Sequence, residues 1–193
     1  VMIEYSSYEK HPLGKVEWVK FFGALTGREA EAEEAFAEQT EILEKVSNGE
    51  KTGKTIAIFY VTSNGLIQVR QSTDYIPKLI ELAGGRYIFE NLEDSGSGRS
   101  TLNMPVEDFY AGAKDADILI YNSSIDGGVT TVDELIGKCN ILKDFKAVQE
   151  GQVYCTTNDM YQQSMAIGYL LQDMHTVLTE GGTDELRYLF PLQ

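Results

Sequence analysis

The side chains best suited to chemistry in this sequence are tyrosines, amides and one arginine that follow apolar, β-branched runs. Such runs are typical of strands, so these polar side chains belong to loops at strand ends. Tyrosine rings stack on aromatic groups, while amide and guanidinium groups hydrogen bond to exposed oxygen atoms. The residue types therefore indicate a binding site. The candidate binding residues are Arg70, Gln71, Tyr121, Asn122, Tyr161 and Gln162.

Residues that could catalyse a reaction are few. His11 lies near the N-terminus and His175 lies inside a predicted long helix, and neither has a nucleophile at a recognised motif spacing. Cys155 ends a predicted strand, but it has no basic neighbour in the sequence that would activate it. We therefore predict no catalytic residue. The alternative is a hydrolase-like α/β enzyme domain that uses Cys155 or loop carboxylates.

Metal and phosphate motifs are also absent from the sequence. Cys139 and Cys155 do not form a CxxC pair. The Gly/Ser-rich stretch Asn91–Thr101 lacks the Gly-Lys-Ser/Thr ending of a phosphate loop. The loop carboxylates match neither a calcium-loop pattern nor HExxH spacing, and we predict no metal site and no cofactor. These carboxylates are Asp74, Asp94, Asp126 and Asp159.

The charge and length of the chain exclude several classes of function. Its 193 residues carry a net charge of -14, which repels phosphate backbones and anionic membrane surfaces. Apolar runs such as Thr55–Val61 are far shorter than the roughly 20 residues that span a bilayer. Val1–Tyr8 lacks the basic start and apolar middle of a signal peptide, so we expect a mature chain or a piece of a longer one.

The elements that must position the candidate residues alternate along the chain. Two amphipathic helices come first, at about Lys15–Leu25 and Arg28–Ser47. Asn64-Gly65 then joins two apolar runs in a predicted hairpin. Strand, loop and helix units follow, which predicts an α/β fold of Rossmann-like, three-layer type with a mostly parallel sheet. The later predicted elements are the strands Tyr87–Phe89, Asp117–Tyr121 and Val153–Thr156, and the helices Tyr75–Leu82, Val106–Lys114, Val132–Ile136, Met160–Leu178 and Asp184–Leu189.

An open α/β sheet binds its ligands in the crevice beyond the carboxyl ends of its strands. The loops expected there hold Ser63 and Asn64, Tyr121 to Asp126, and Asn158 to Gln163, besides Arg70 and Gln71. This rim is polar and aromatic with few charges. It is suited to binding more than to reaction, and these residues do not identify the ligand.

Three blocks of sequence resemble one family. Ser6–Trp18 followed by two helices is similar to the stretch that enters the connecting helix of periplasmic-type binding proteins for iron-siderophores, haem and cobalamin. Val69–Tyr75 with Ile80–Gly85 resembles the family's helix that ends in paired glycines. Asn103–Tyr110 with Ala116–Asn122 resembles its helix that leads into an aspartate-bearing strand. This family is the class III periplasmic binding proteins.

The resemblance implies an arrangement of domains. Residues 1–27 would be the end of the N-terminal lobe with a lead-in helix, 28–50 the long helix between lobes, and 51–193 the C-terminal α/β lobe. It also implies an extracytoplasmic, substrate-binding component of an ABC importer that holds a metal-chelate cargo without catalysis. The full-length protein would contact the membrane only through a lipid anchor.

The resemblance further assigns a role to Glu107. In the family a glutamate on this helix docks on arginines of the permease, and Glu107 is the matching position. A first-turn acid also stabilises a helix, as Asp108 beside it would. Cargo of the siderophore, haem or cobalamin class and an ABC permease are thus the expected partners, with no nucleic acid. A protein-interaction domain without a small ligand is a further alternative.

Overall fold

Nearly continuous apolar runs in the central strands, such as Thr55–Val61, and apolar stripes on the helices require a sheet covered on both faces. The computed structural model describes residues 5–93, 99–160, 164–182 and 185–193. Its seven strands are β1 (Thr55–Val61), β2 (Ile67–Arg70), β3 (Arg86–Tyr87), β4 (Thr101–Met104), β5 (Ile118–Tyr121), β6 (Val153–Thr156) and β7 (Leu189–Pro191). Its α-helices are α1 (Pro12–Thr26), α2 (Glu29–Ser47), α3 (Tyr75–Leu82), α4 (Val106–Ala113), α5 (Val132–Lys138), α6 (Lys146–Gln149) and α7 (Ile167–Thr179).

The two N-terminal helices form an antiparallel hairpin because Gly27 reverses the chain between them. Pro12 starts α1, where its missing N–H is not needed, and the His11 side chain accepts a hydrogen bond from the Leu13 N–H. Gly27 ends α1 with φ +67, in the left-handed region that glycine adopts without strain. The long helix α2 then runs back along α1 and packs on α7.

The sheet has a parallel centre and antiparallel edges. β1 pairs in parallel with β3 and β5, and β5 pairs in parallel with β6. β2 joins β1 through the predicted hairpin and pairs with β4, while β7 covers the other edge; these pairings are antiparallel. The order is β4-β2-β1-β5-β6-β7, with β3 beside β1. The predicted α/β class with a central parallel sheet is confirmed.

Each face of the sheet has its own core. Ile56 and Ile58 of β1 lie on the face covered by α2, α3 and α7, which we call the α3 face. Ala57 and Phe59 lie on the opposite face with α4, α5 and α6, which we call the α4 face. The alternation has period two because successive strand residues point to opposite sides.

Two predicted helices near the C-terminus differ in the structure. The helix predicted at Met160–Leu178 begins only at Ile167, after a short 3-10 turn at Ser164–Ala166. No helix is formed by the described part of Asp184–Leu189, because the Asp173 carboxylate accepts the backbone N–H groups of residues 187–189 and β7 pairs with β6. β4 was not predicted as a strand.

The sequence also predicts a short β-like run at Met2–Tyr5, and residues 1–4 lie outside the described residues. The remaining predicted elements are present with ends shifted by a few residues. In the described ranges, no helix is long and apolar enough to cross a bilayer.

Candidate functional site

The crevice of this sheet lies between the carboxyl ends of β1 and β5. From β1 the chain passes through α3 on one face to β3, and it then returns through α4 on the other face to β5. The order of strands reverses at this point, which is where open α/β sheets bind ligands. The residues that follow β1 and β5 are therefore the first candidates for ligand contact.

A shallow pocket beside this crevice brings together two of the predicted binding residues. Arg70 and Asn122 both line it, although they are far apart in the sequence. Tyr60, Gln68 and Thr101 line it as well, and sequence reasoning missed them. Gln68 and Arg70 share a face because they alternate with buried Ile67 and Val69 in β2, a period that could have identified Gln68.

The Arg70 side chain is held in place by a neighbouring carboxylate. Its Nη1 lies 3.6 Å from Asp74 Oδ2, and Asp74 also accepts the Ile76 N–H at 3.0 Å as the cap of α3. Burial raises the pKa of the Asp74 carboxyl above its ordinary value, and the charge of Arg70 opposes that rise without cancelling it. The pair fixes the guanidinium at the pocket wall.

Gln71 occupies a different environment from the predicted one. Its residue is only 3% exposed, and its Nε2 donates to the Arg99 carbonyl at 2.9 Å. The Gln71 N–H donates to the Ser100 carbonyl, so both groups fasten the chain before β4. Gln71 therefore supports the chain before β4, and its direct contact with a ligand stays a prediction.

Tyr121 is also buried, and its contact with a ligand stays a prediction. It is 0% exposed, and its ring packs edge-on against Phe59 on the α4 face. Its hydroxyl donates to Asp126 Oδ2 at 2.7 Å. Because strand residues alternate, Asn122 faces the pocket while Tyr121 faces the opposite core.

Hydrogen bonds within the loop after β5, and one to the end of β6, stabilise this loop. Asn122 Oδ1 accepts the Ser124 N–H at 3.2 Å and the Ser124 hydroxyl at 2.9 Å. The Ser123 N–H donates to Thr156 Oγ1 at 3.0 Å, which joins this loop to the end of β6. Asn122 is 6% exposed, so it shapes the pocket edge as well as lining it.

Tyr161 and Gln162, the remaining predicted binding residues, lie outside the described residues. Their described neighbours in sequence, Met160 and Ser164, line a second small pocket with Lys15 and Tyr75. Lys15 Nζ lies 4.6 Å from the centre of the Tyr75 ring and donates to the Ser6 carbonyl at 3.1 Å.

Glu107 lies at the same edge of the sheet as the crevice. Met104 at the end of β4 pairs with Ile67, which in turn pairs with Val61 at the end of β1, so α4 begins at the carboxyl edge. Glu107 and Asp108 are exposed in its first turn. Acids there complement the helix dipole, and Pro105 provides no side-chain cap.

The described residues do not favour covalent chemistry or a resident metal. Cys155 is 0% exposed, and burial raises the pKa of its thiol, which disfavours the reactive thiolate. Burial likewise raises the pKa of Cys139, and the charge of Glu107 adds to that effect. Among the described residues no group of His, Cys, Asp and Glu side chains could hold a metal ion.

Comparisons with known proteins agree on one family. The family model described as "Periplasmic binding protein" matches residues 7–160. An uncharacterized lipoprotein of Methanocaldococcus jannaschii is 31% identical over 173 residues, which cover 88% of this chain and 40% of that protein. A second lipoprotein of the same organism is 25% identical, over 98% of this chain and 49% of that protein. The chain thus spans about half the length of these relatives.

Solved structures show the same fold. A possible iron-binding, periplasmic solute-binding protein of Staphylococcus epidermidis superposes with a TM-score of 0.69 at 17% identity, over 89% of this chain and 64% of that one. The periplasmic heme binding protein HutB of Vibrio cholerae gives a TM-score of 0.70 at 13% identity, over 90% and 66%. IsdE of S. aureus, complexed with heme, gives 0.64 at 17% identity, over 89% and 66%.

Proposed function

The chain belongs to the periplasmic binding protein family, and from that premise we propose that it is the cargo-binding C-terminal lobe of a substrate-binding protein for an ABC importer. The family consists of binding proteins for transport rather than enzymes. One observation carries the proposal: Arg70 and Asn122, from separate strands, line one polar pocket beside the crevice between β1 and β5. The buried, protonated thiol of Cys155 gives the alternative of an enzyme domain no support.

The cargo we propose is a metal chelate of the iron-siderophore or haem class. Its support is the kind of protein that shares this fold, since these include a possible iron-binding protein, a protein of an Fe3+-hydroxamate transport system and IsdE complexed with heme. The pocket itself supports a ligand with oxygen acceptors, because Arg70 and Gln68 carry hydrogen-bond donors. Gln68 Nε2 already donates one N–H to Asn103 Oδ1 at 3.2 Å, so its other N–H is the donor proposed for a ligand. Cobalamin remains within the proposed class, as the residues do not separate these chelates.

We propose that α1 and α2 connect this lobe to a second one. Phe21, Phe22 and Leu25 on α1 are exposed, which is unusual for three large apolar side chains so close together. A preceding lobe would cover them, and relatives about twice as long have room for one. The proposed units are residues 1–27, which end that lobe and lead into the hairpin, the connecting helix 28–50, and the C-terminal lobe 51–193.

The location and partners follow from the same proposal. Membership of the family and the lipoprotein relatives support an extracytoplasmic protein, held at the membrane by a lipid anchor in its full-length form. Glu107 is the proposed contact with the permease, since it is exposed at the edge that faces the cargo. The net charge of -14 suits a basic docking surface on the permease and disfavours nucleic acid.

The test is direct capture of cargo by the full-length protein. The protein would be purified without added ligand, and mass and absorbance spectra would identify any compound that co-purifies. Titration with a ferric trihydroxamate, haemin and cyanocobalamin would follow, with intrinsic fluorescence as the readout. We expect saturable one-to-one binding of at least one of them. If none of the three binds and no chelate co-purifies, a protein-interaction domain becomes the better explanation.

A further inference from the structure

We propose that Asp126 is a positioning residue that holds the loop of residues 122–131 in one fixed shape, so that Ile125 presents an apolar contact to the cargo. This inference rests on the proposed function for its ligand, but its structural part can be tested without one. The loop joins β5 to α5 at the crevice.

The Asp126 carboxylate is bound from three directions. Its Oδ2 accepts the Tyr121 hydroxyl at 2.7 Å and Lys138 Nζ at 2.6 Å, while its Oδ1 accepts the Gly128 N–H at 3.0 Å. The donors belong to the end of β5, the end of α5 and the loop itself. One side chain therefore ties the loop to two neighbouring elements.

The environment keeps this carboxylate charged. Partial burial by itself raises the pKa of Asp126, but the hydrogen bonds from Lys138 and Tyr121 outweigh that effect and leave the pKa below its ordinary value. Lys138 also lies 5.8 Å from the centre of the Tyr121 ring. The buried Tyr121 thus contacts both partners of the Asp126–Lys138 ion pair. We therefore expect this pair to stabilise the loop more than a fully exposed ion pair would.

Further hydrogen bonds stabilise the rest of the loop. The Gly127 N–H donates to the Ser123 carbonyl at 3.1 Å, and Ser123 is bound to Thr156 on β6. Gly128 has φ +81, and a Cβ there would lie 2.7 Å from Ser123 Cβ. A side chain at position 128 would be strained in both backbone and packing, so this conformation of the loop requires glycine there.

Ile125 lies within this loop, next to Asp126 in sequence, and is 58% exposed. A single exposed isoleucine on a surface needs no explanation, but this one is held at the strand ends where ligands bind. A loop that is already ordered loses less conformational entropy on binding than a mobile one. The arrangement therefore suits an apolar part of a chelate, since Asn122 at the start of the same loop lines the polar pocket.

The experiment compares variants of the full-length protein. Asp126→Ala removes the anchor, Lys138→Met removes one donor, and Lys138→Arg retains the charge. Ile125→Ser changes the proposed contact but not the anchor, and Asp133→Ala is the matched control because Asp133 is an exposed acid on α5. Amide hydrogen exchange in residues 122–129 reports the shape of the loop. Affinity and dissociation rate for a ferric trihydroxamate and haemin report the contact.

We expect Asp126→Ala to accelerate exchange in residues 122–129 at least roughly tenfold and to weaken chelate binding by about 5- to 20-fold, mainly through faster dissociation. Lys138→Met should show a smaller change of both kinds, and Lys138→Arg should restore them. Ile125→Ser should weaken binding without changing exchange. Asp133→Ala should alter neither, and the melting temperature identifies any variant that fails to fold.

The outcomes separate the inference from the proposed function. Unchanged exchange in both Asp126→Ala and Lys138→Met overturns the positioning role. Faster exchange with unchanged affinity in every variant overturns the contact with cargo. If the wild-type protein binds none of ferric trihydroxamate, haemin and cyanocobalamin, the proposed cargo class fails, while exchange in the loop still decides whether Asp126 positions it.

Discussion

Gln39 on the long helix α2 accepts a hydrogen bond at its Oε1 from the Gly168 N–H in the first turn of α7, at a distance of 2.9 Å. Gln39 is only 3% exposed, so this bond replaces contact with water. It satisfies one of the N–H groups that a helix start leaves unpaired. The bond fixes where α2 lies on the domain, which matters for a helix proposed to connect two lobes.

Replacing Gly168 should disturb this contact. A Cβ at position 168 would lie 2.9 Å from Gln39 Oε1 and 3.1 Å from Ile42 Cγ2, so Gly168→Ala must displace the Gln39 amide from its bond or crowd Ile42. We expect a loss of about 1–3 kcal/mol in the free energy of unfolding, measured by urea denaturation. Gly137→Ala on α5 is the control, because a Cβ there meets nothing within 4 Å. That control should gain about 0.5–1 kcal/mol, and equal effects of the two changes would contradict the role of Gly168.

Asp173 determines the shape of the C-terminal segment. Its Oδ2 accepts the backbone N–H groups of Arg187 at 2.9 Å, Tyr188 at 2.6 Å and Leu189 at 3.0 Å. Asp173→Ala leaves these donors without their acceptor and should lower the free energy of unfolding by at least about 2 kcal/mol. Asp173→Asn retains one acceptor and should cost less. Glu44→Ala, at an exposed acid on α2, is the control and should stay within about 0.5 kcal/mol of wild type.

Asp117 makes stability depend on pH. Partial burial by itself raises its pKa, but hydrogen bonds from Lys146 and Thr55 outweigh that effect and lower the pKa below 3.8. A lowered carboxyl pKa contributes stability that is fully present above the unfolded value near 3.8 and is lost as pH falls below it toward the folded value. The melting temperature of Asp117→Asn should therefore fall less steeply than that of wild type between about pH 4 and 2. Thermal unfolding across that range checks this; parallel curves for variant and wild type would contradict it.

Arg70 should affect cargo binding more than any other pocket residue. Arg70→Gln in the full-length protein removes a charged hydrogen-bond donor, and we expect affinity for the preferred ferric chelate to fall by about 10- to 100-fold. Arg86→Gln changes the charge equally, but Arg86 lies exposed in β3, next to the start of β1. Titration of both variants compares them. A similar loss in the two would mean that net charge, rather than the pocket, governs affinity.

Glu107 should affect transport without affecting cargo affinity. Glu107→Lys in the full-length protein places a positive charge where a basic permease surface is proposed, and we expect uptake of radiolabelled chelate to fall by roughly tenfold or more. Asp108→Lys, one position along the same exposed turn, separates a specific contact from a loss of helix stabilisation. An unchanged uptake rate in Glu107→Lys would remove the docking role.

The sequence by itself determined the class of fold and the types of residue at the crevice. Runs such as Thr55–Val61 and Val153–Thr156 predicted strands correctly because β-branched and aromatic side chains suit a pleated, buried surface. Asn64-Gly65 predicted the hairpin between β1 and β2 for a local reason, since both positions belong to one tight turn. Signals of this kind depend only on residues that are close in sequence, so they can be recognised without the tertiary structure.

Only the tertiary structure decided which candidates face the crevice. Tyr121 and Asn122 are adjacent, yet one enters the α4 face core and the other lines the pocket, because a shift of one residue exchanges the faces of a strand. Gln71 is buried because it bonds to a separate segment of the chain. The helix predicted near the C-terminus does not form because Asp173, from another segment, accepts its backbone N–H groups. Such contacts depend on how the helices pack on the sheet, and the spacing of residues along the chain does not contain that information.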